Sequence, residues 1–179
     1  AFNNSIANWN VSSVANMSYL FEGASSFNQA LNNWNTSSAT QMTSMFKGAN
    51  NFNRDISDWN VSNVTSMTNM LNFTALSNSN KGKIHASFSS NSNWSYDWRQ
   101  FVVITNSNFQ TAINLWFSNQ ADANATYGHI SDWNTSAVTN MSEAFFNRTS
   151  FNQDITPWDV SNVTNMYRMF NDAFLFNGI

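Results

Sequence analysis

A chain of 179 residues has room for one sizeable domain or two small ones. Only 9% of its residues are charged, against a typical ~25%, while 16% are aromatic, so solubility rests on neutral Asn, Ser and Thr. A formal charge of −3 with seven scattered Lys and Arg excludes a basic stripe for nucleic acid, and no apolar run approaches the ~20 residues that span a bilayer.

Cysteine is absent, which removes a disulfide frame and thiolate metal sites. That composition suits the cytosol and equally suits large repeat proteins of cell surfaces. The chain opens at Ala1 without a signal-like segment, and it opens and closes inside a repeat. A piece of a longer polypeptide is therefore expected.

Residues 1–76 carry Trp9, Trp34 and Trp59 at intervals of 25, and the same interval returns between Trp133 and Trp158. Ser follows each tryptophan by three residues (Ser12, Ser37, Ser62, Ser136, Ser161). Met17, Met42, Met67, Met141 and Met166 follow by eight, and an apolar residue such as Phe21 or Leu71 follows by twelve. A Phe-Asn pair precedes most copies, as Phe2-Asn3, Phe27-Asn28, Phe52-Asn53 and Phe151-Asn152. A period of this length belongs to stacked coils, each too small to bury its own apolar side.

Within one coil, Trp59 and Val61 alternate with Asp58, Asn60 and Ser62, which predicts a short strand with Trp and Val inward. Val64, Met67 and Met70 or Leu71 then recur at helical spacing, predicting one or two helical turns capped by Thr65 or Ser66. The five tryptophans and five methionines are the expected core. A Trp buried between coils hides ~200 Å², worth at most about 5 kcal/mol at ~25 cal/mol/Å². Identical Asn and Ser side chains, stacked coil upon coil, are expected to form hydrogen-bonded ladders.

From Trp59 to Trp133 the spacing is 74, one short of three periods, and the Ser–Met framework lapses between them. Residues 77–104 read as a closing cap and linker, with a helix from Ser77 or Ser79 that buries Ile84 and Phe88. Residues 105–127 read as an amphipathic capping helix: Ser107 and Gln110 form a capping box ahead of Phe109, Ala112, Ile113, Trp116, Phe117 and Ala121. Coils resume over 128–179. Two arrays separated by caps are expected; one continuous stack with a bulky insertion is the alternative.

The run Trp59-Asn60-Val61-Ser62-Asn63-Val64-Thr65 with Met67 and Met70, and its counterpart from Trp158 to Phe170, resemble the BspA-like surface-protein repeats. Leu71 in place of Phe and Ala15 in place of Thr are departures confined to single coils. The resemblance spans about 125 residues and implies relatives of leucine-rich repeats in secreted or surface-anchored adhesive or structural proteins, with no catalytic residue to carry over. The expected fold is thus an α/β repeat: a right-handed, leucine-rich-repeat-like solenoid of parallel short strands and helical turns, interrupted by a helical capping segment.

His85 and His129 have no Cys or second His at ligand spacing, so neither a metal nor a cofactor is expected there, and His129 reads as a packed or exposed histidine. Asp55, Asp58, Asp132, Asp154 and Asp159 recur beside tryptophan. Ser5, Asn8, Ala30 and Asn33 hold those places in the first two coils, against a regular calcium ladder. Trp94, Tyr96 and Trp98 lie outside the repeat and are the candidate surface aromatic patch for a sugar. Asn-x-Ser/Thr sequons abound through the repeat's own bias, with Asn72 and Asn147 the better candidates for glycosylation.

A non-enzymatic structural or adhesive module is the expected function, at the cell surface or outside the cell, with a filament component as one form. A carbohydrate-binding module is the alternative. The expected partners are neighbouring copies or further repeats of the chain, or a host or matrix protein or glycan.

Overall fold

The computed structural model describes residues 2–177. The chain divides into two compact units, Ala1–Phe101 and Val102–Ile179. The first holds the coils of Trp9, Trp34 and Trp59, followed by helix α1 (Asn78–Phe88) and a 3-10 turn at Arg99–Phe101. The second opens with α2 (Phe109–Ser118) and α3 (Gln120–Tyr127), passes a 3-10 turn at Ile130–Asp132, and continues into the coils of Trp133 and Trp158.

Successive coils are joined by an alternation in the backbone. The N–H groups of Met17, Tyr19, Phe21 and Gly23 donate to the carbonyls of Gln41, Thr43, Met45 and Lys47, 24 residues on, at 2.8–2.9 Å. The residues between them bond locally instead: Leu20 to Met17, Glu22 to Tyr19, Ala24 to Phe21. The Trp34 coil repeats the scheme toward the Trp59 coil, from Met42 N–H to Ser66 O through Gly48 N–H to Asn72 O. In the second unit, Met141, Glu143, Phe145 and Asn147 donate likewise to Asn165, Tyr167, Met169 and Asn171. In these coil pairs every second donor closes a turn while its neighbour holds the next coil, so the backbone donors are shared between local and inter-coil bonds.

This alternation overturns the predicted α/β solenoid of parallel strands and helical turns. Among the described residues there is no strand; the strand-type pairing between coils amounts to isolated parallel bridges such as Asn16–Gln41 and Gln41–Ser66. Nor is there a helical turn in the repeat after Val64: the helices all lie between residues 78 and 132. The physical reason is in the dihedrals. Tyr19, Ser44, Asn69, Glu143 and Arg168 occupy one left-handed position of the coil, with φ from 52° to 63°. Gly23, Gly48, Phe73, Asn147 and Asp172 occupy a second, four residues later. A left-handed residue costs a non-glycine ~1–2 kcal/mol and ends any helix or extended run. The inter-coil bonds on either side hold the backbone there.

The predicted apolar spacing nevertheless builds the core. Trp34 stacks on Trp59 at 6.1 Å and 6°, and Trp133 on Trp158 at 6.0 Å and 11°. Phe rings form a second pile: Phe21 on Phe46 at 5.1 Å, and Phe46 on Phe52 at 4.1 Å. Each stacked indole also places its polar edge. Trp34 Nε1 donates to Ile6 O, Trp59 Nε1 to Leu31 O, and Trp158 Nε1 to Ile130 O, at 2.8–3.1 Å. Met17, Met42, Met67 and Met141 are buried as expected. Trp9 and Met166 depart from the core role: they belong to the outermost coils of the described chain, where no further coil covers them.

Helix α1 starts behind Ser77, whose Oγ accepts Asn80 N–H, and it buries Ile84, His85 and Phe88. Helix α2 is capped differently from the predicted box. Asn108 is the N-cap, without a side-chain cap bond, and Ser107 Oγ pairs with Thr105 Oγ1 instead. The single amphipathic helix expected over 105–127 is broken at Asn119, whose side chain accepts Asp122 N–H and starts α3; Ala121 is consequently exposed.

Candidate functional site: caps and neutral flanks

In the last coil of the first unit, Leu71 stands in the donor row where Phe21 and Phe46 stand in the coils before it. Its N–H has no following coil to meet and donates at 2.8 Å to the hydroxyl oxygen of Tyr96, which in turn donates to Asn72 Oδ1 at 2.9 Å. Burial pushes the Tyr96 phenol above its ordinary value, against the opposing Leu71 bond. Trp94 Nε1 donates to Nδ1 of the buried His85 at 2.9 Å. Trp98 packs edge-on against Trp94 at 5.5 Å, and Lys81 Nζ lies over the Trp98 ring at 5.9 Å. Trp94, Tyr96 and Trp98, read from the sequence as a surface patch, are therefore half-buried against the first core. The hydroxyl of Tyr96 and the indole N–H of Trp94 are spent on the fold.

The first coil of the second unit is sealed by the converse device. In the coil pairs, Thr40 and Gln41 N–H both donate to Ala15 O, and Thr164 and Asn165 N–H both donate to Thr139 O. At the head of the unit, Thr139 and Asn140 N–H donate to Asn106 Oδ1, at 2.9 and 3.2 Å. A side-chain amide oxygen replaces the carbonyl of a preceding coil. Trp116 and Phe117 of α2 then cover the rings of Trp133 and Phe145 edge-on, at 6.2 and 6.4 Å. Sequence reading missed Asn106, which no periodicity marks. Tyr96 was noticed for its ring, although it lies one 25-residue period past Leu71, and that signal points to the cap.

The repeated Asn and Ser face the flanks and are also engaged. Asn3, Asn28 and Asn53 accept the backbone N–H of Asn28, Asn53 and Ser77 through Oδ1, at 2.9–3.0 Å. The ladder expected of identical side chains is thus a side-chain-to-backbone ladder. Asn10, Asn60 and Asn134 each bond both the N–H and the hydroxyl of the Ser two residues on, closing the turn after tryptophan.

Charges are few and exposed. Lys47–Glu22 at 3.1 Å and Lys83–Asp55 at 3.0 Å tie neighbouring layers within the first unit, each worth little in water. Burial raises the Asp55 carboxyl, but hydrogen bonds from Ser57 and the Lys83 ammonium outweigh it and hold the group below 3.8. The Arg99 fork holds Asp97 at about 2. Asp154 and Asp159 are lowered by Thr156 and Ser161. His129 is exposed and caps the Ile130–Asp132 turn through Ser131. Among the described residues no three His, Cys, Asp or Glu gather as metal ligands, and no helix is long and apolar enough to cross a membrane.

One cleft lies between α1 and the Trp59 coil, about 260 Å³, lined by Asn60, Val61, Ser62, Ser87, Ser90 and Asn91. Its polar lining is uncharged.

Of the two favoured sequons, Asn147 is exposed with no side-chain bond among the described residues, whereas Asn72 holds Tyr96 and Asn69.

Stacked 25-residue coils, bonded coil to coil and sealed by side-chain caps, define a repeat protein built in two short arrays. The chain belongs to the family described as Mycoplasma protein of unknown function, DUF285, whose model matches residues 1–84 and again 82–178. Neither a curated protein nor a solved structure matches it.

Proposed function

We propose that the chain is a non-enzymatic structural or adhesive repeat module of an extracellular or cell-surface protein, of the BspA-like kind that its Trp-Asn-Val-Ser repeat resembles. One observation carries this reading. Two recurring sets of polar side chains, Asn3-Asn28-Asn53 and Asn10-Asn60-Asn134, bond to backbone and turns, so the repeat generates a surface rather than a convergent site. A uniform neutral surface suits many weak contacts made in parallel, which gain strength by multivalency. Membership of a family with two matches along one chain agrees with a modular role. The test is binding of the chain, displayed singly and in clustered form, to intact cells, matrix proteins and a glycan array. Clustered display is expected to raise apparent affinity by ~10²-fold or more. Absence of binding to all three in both formats overturns the adhesive reading.

The neutral cleft between α1 and the Trp59 coil favours a second reading, a carbohydrate-binding module. Its hydroxyl and amide lining is the chemistry that meets sugar hydroxyls. Filling it with Ser90→Trp is expected to abolish glycan-array signals if they arise there. Replacing Trp94 and Trp98 by Ala tests the aromatic route.

A further inference from the structure

Two of the turns after tryptophan are covered in the same way. Asn63 Nδ2 reaches back from its coil to Ser37 O, and Asn162 Nδ2 to Ser136 O, both at 2.9 Å. Beside those bonds, Thr36 Oγ1 donates to Asn60 O and Thr135 Oγ1 to Asp159 O. The turn after Trp59 is covered by the segment behind α1 instead, and the cover is incomplete. Asn91 Nδ2 donates to Val61 O and Val64 O at 2.7 and 2.8 Å. Ser62 O, the counterpart of Ser37 O and Ser136 O, accepts nothing among the described residues. Val61 stands where Thr36 and Thr135 place a hydroxyl. The cleft of about 260 Å³ opens at this spot.

Its walls hold donors and acceptors in fixed places. Asn60 Oδ1 takes the N–H and the hydroxyl of Ser62, at 3.0 and 2.7 Å, which fixes the amide plane. The Nδ2 of Asn60 and the Oγ of Ser90 make no hydrogen bond among the described residues. Ser87 Oγ is tied to Ser57 O at 2.6 Å, and Asn91 Oδ1 takes Asn93 N–H at 2.8 Å, so the opposite wall is braced.

We infer that the cleft takes the acetamido group of a neutral N-acetylhexosamine. This rests on the carbohydrate reading above and narrows it. The repeat itself shows what Ser62 O lacks, because an amide N–H fills that place at Ser37 and Ser136. An acetamido group brings the same N–H for Ser62 O, a carbonyl for Asn60 Nδ2 and the Ser90 hydroxyl, and a methyl for Val61. A plain hexose brings neither the carbonyl nor the methyl, and an acidic sugar meets no cation in the uncharged lining. An asparagine side chain from another protein brings the amide without the methyl. The volume falls just under the ~300 Å³ at which pockets for larger ligands begin, and it suits a single sugar unit.

The experiment is an amide NMR titration of the full chain with the methyl glycosides of N-acetylglucosamine, N-acetylgalactosamine, glucose and galactose, and with the peptide Ala-Asn-Ala. The amides of Asn63, which follows the open carbonyl, and of Ser90 are expected to shift with an acetamido sugar. Those of Ser38 and Ala137, which follow the occupied carbonyls, are expected to stay. Glucose and galactose are expected to bind at least about tenfold more weakly, the order of one lost hydrogen bond. Asn60→Asp is expected to lose about tenfold as well. It keeps the turn, since Asp159 accepts Ser161 N–H in the same way at 2.9 Å. Ser90→Trp fills the cleft and is expected to abolish the shifts. Equal binding of all four sugars at these amides overturns the inference and leaves the carbohydrate reading standing; no shift with any sugar overturns both. Acetamido-sugar shifts that both variants leave intact overturn it too, as does the peptide moving these amides where the sugars do not.

Discussion

The hydroxyl oxygen of Tyr96 accepts the Leu71 N–H at 2.8 Å, in the place a further coil's carbonyl would occupy. Leu71 is buried, so losing that acceptor leaves a donor in the core without a partner. Tyr96→Phe is expected to cost about 1–3 kcal/mol of stability in urea unfolding, with the ring's packing retained. The phenol also predicts an alkaline limit. Its pKa is raised by burial, so its contribution is fully present below the unfolded value of 10.0 and is lost as pH rises through the folded value. Thermal melts above pH 10 are expected to fall more steeply in the wild type than in Tyr96→Phe.

Asn106 does for the second unit what Tyr96 does for the first, at a more exposed place. Thr139 and Asn140 are both exposed, so water takes up part of the loss when Asn106 is truncated. Asn106→Ala is expected to cost about 1 kcal/mol. Asn106→Asp keeps the acceptor oxygen and is expected to restore slow exchange at the Thr139 and Asn140 amides. Hydrogen exchange at those two amides is the readout; equal rates in all three proteins would refute the cap.

The tryptophans are not equivalent despite identical sequence context. Trp59 is buried, stacked on Trp34 and bonded to Leu31 O, so Trp59→Ala is expected to cost about 3–5 kcal/mol. Trp9 is 59% exposed, and Trp9→Ala is expected to stay within about 0.5 kcal/mol of the wild type. Denaturant midpoints of the two variants decide this.

Acid should loosen the cap of the first unit. The Asp55 and Asp97 carboxyls both lie below the ordinary 3.8 in the folded chain, Asp97 at about 2. A depressed folded pKa gives stability that is present above the unfolded value and lost as pH falls through the folded one. Melting temperature is therefore expected to hold above pH 4 and to drop between pH 4 and 2. Asp55→Asn is expected to flatten part of that drop; the effect is small because Asp97 is exposed and Asp55 only partly buried, so water screens both.

Expression through a eukaryotic secretory route separates the two sequons. Asn147 presents an unbonded amide in an exposed left-handed turn, and Asn72 has its amide tied to Tyr96 and Asn69. Mass spectrometry is expected to find glycan at Asn147 and little at Asn72. Comparable occupancy at both would show that the Tyr96–Asn72 bond does not persist during synthesis.

The sequence by itself determined the repeat, its period, the stacking of Trp and Phe from coil to coil, and the place where the array is interrupted. Apolar spacing reports which side chains must meet, and Trp34, Trp59, Met42 and Met67 meet as that spacing requires. It did not determine the backbone path. Val64, Met67 and Met70 recur at helical spacing, but a succession of turns through left-handed residues, one of them Asn69, brings the same side chains inward. Only the tertiary structure decides that path, because an isolated coil has no reason to hold a residue such as Tyr19 or Glu143 at positive φ. Hydrogen bonds to a neighbouring coil, on one side or the other, supply the reason. The caps belong to the same category: Tyr96 and Asn106 are ordinary polar residues until a coil ends beside them with its backbone donors unpaired.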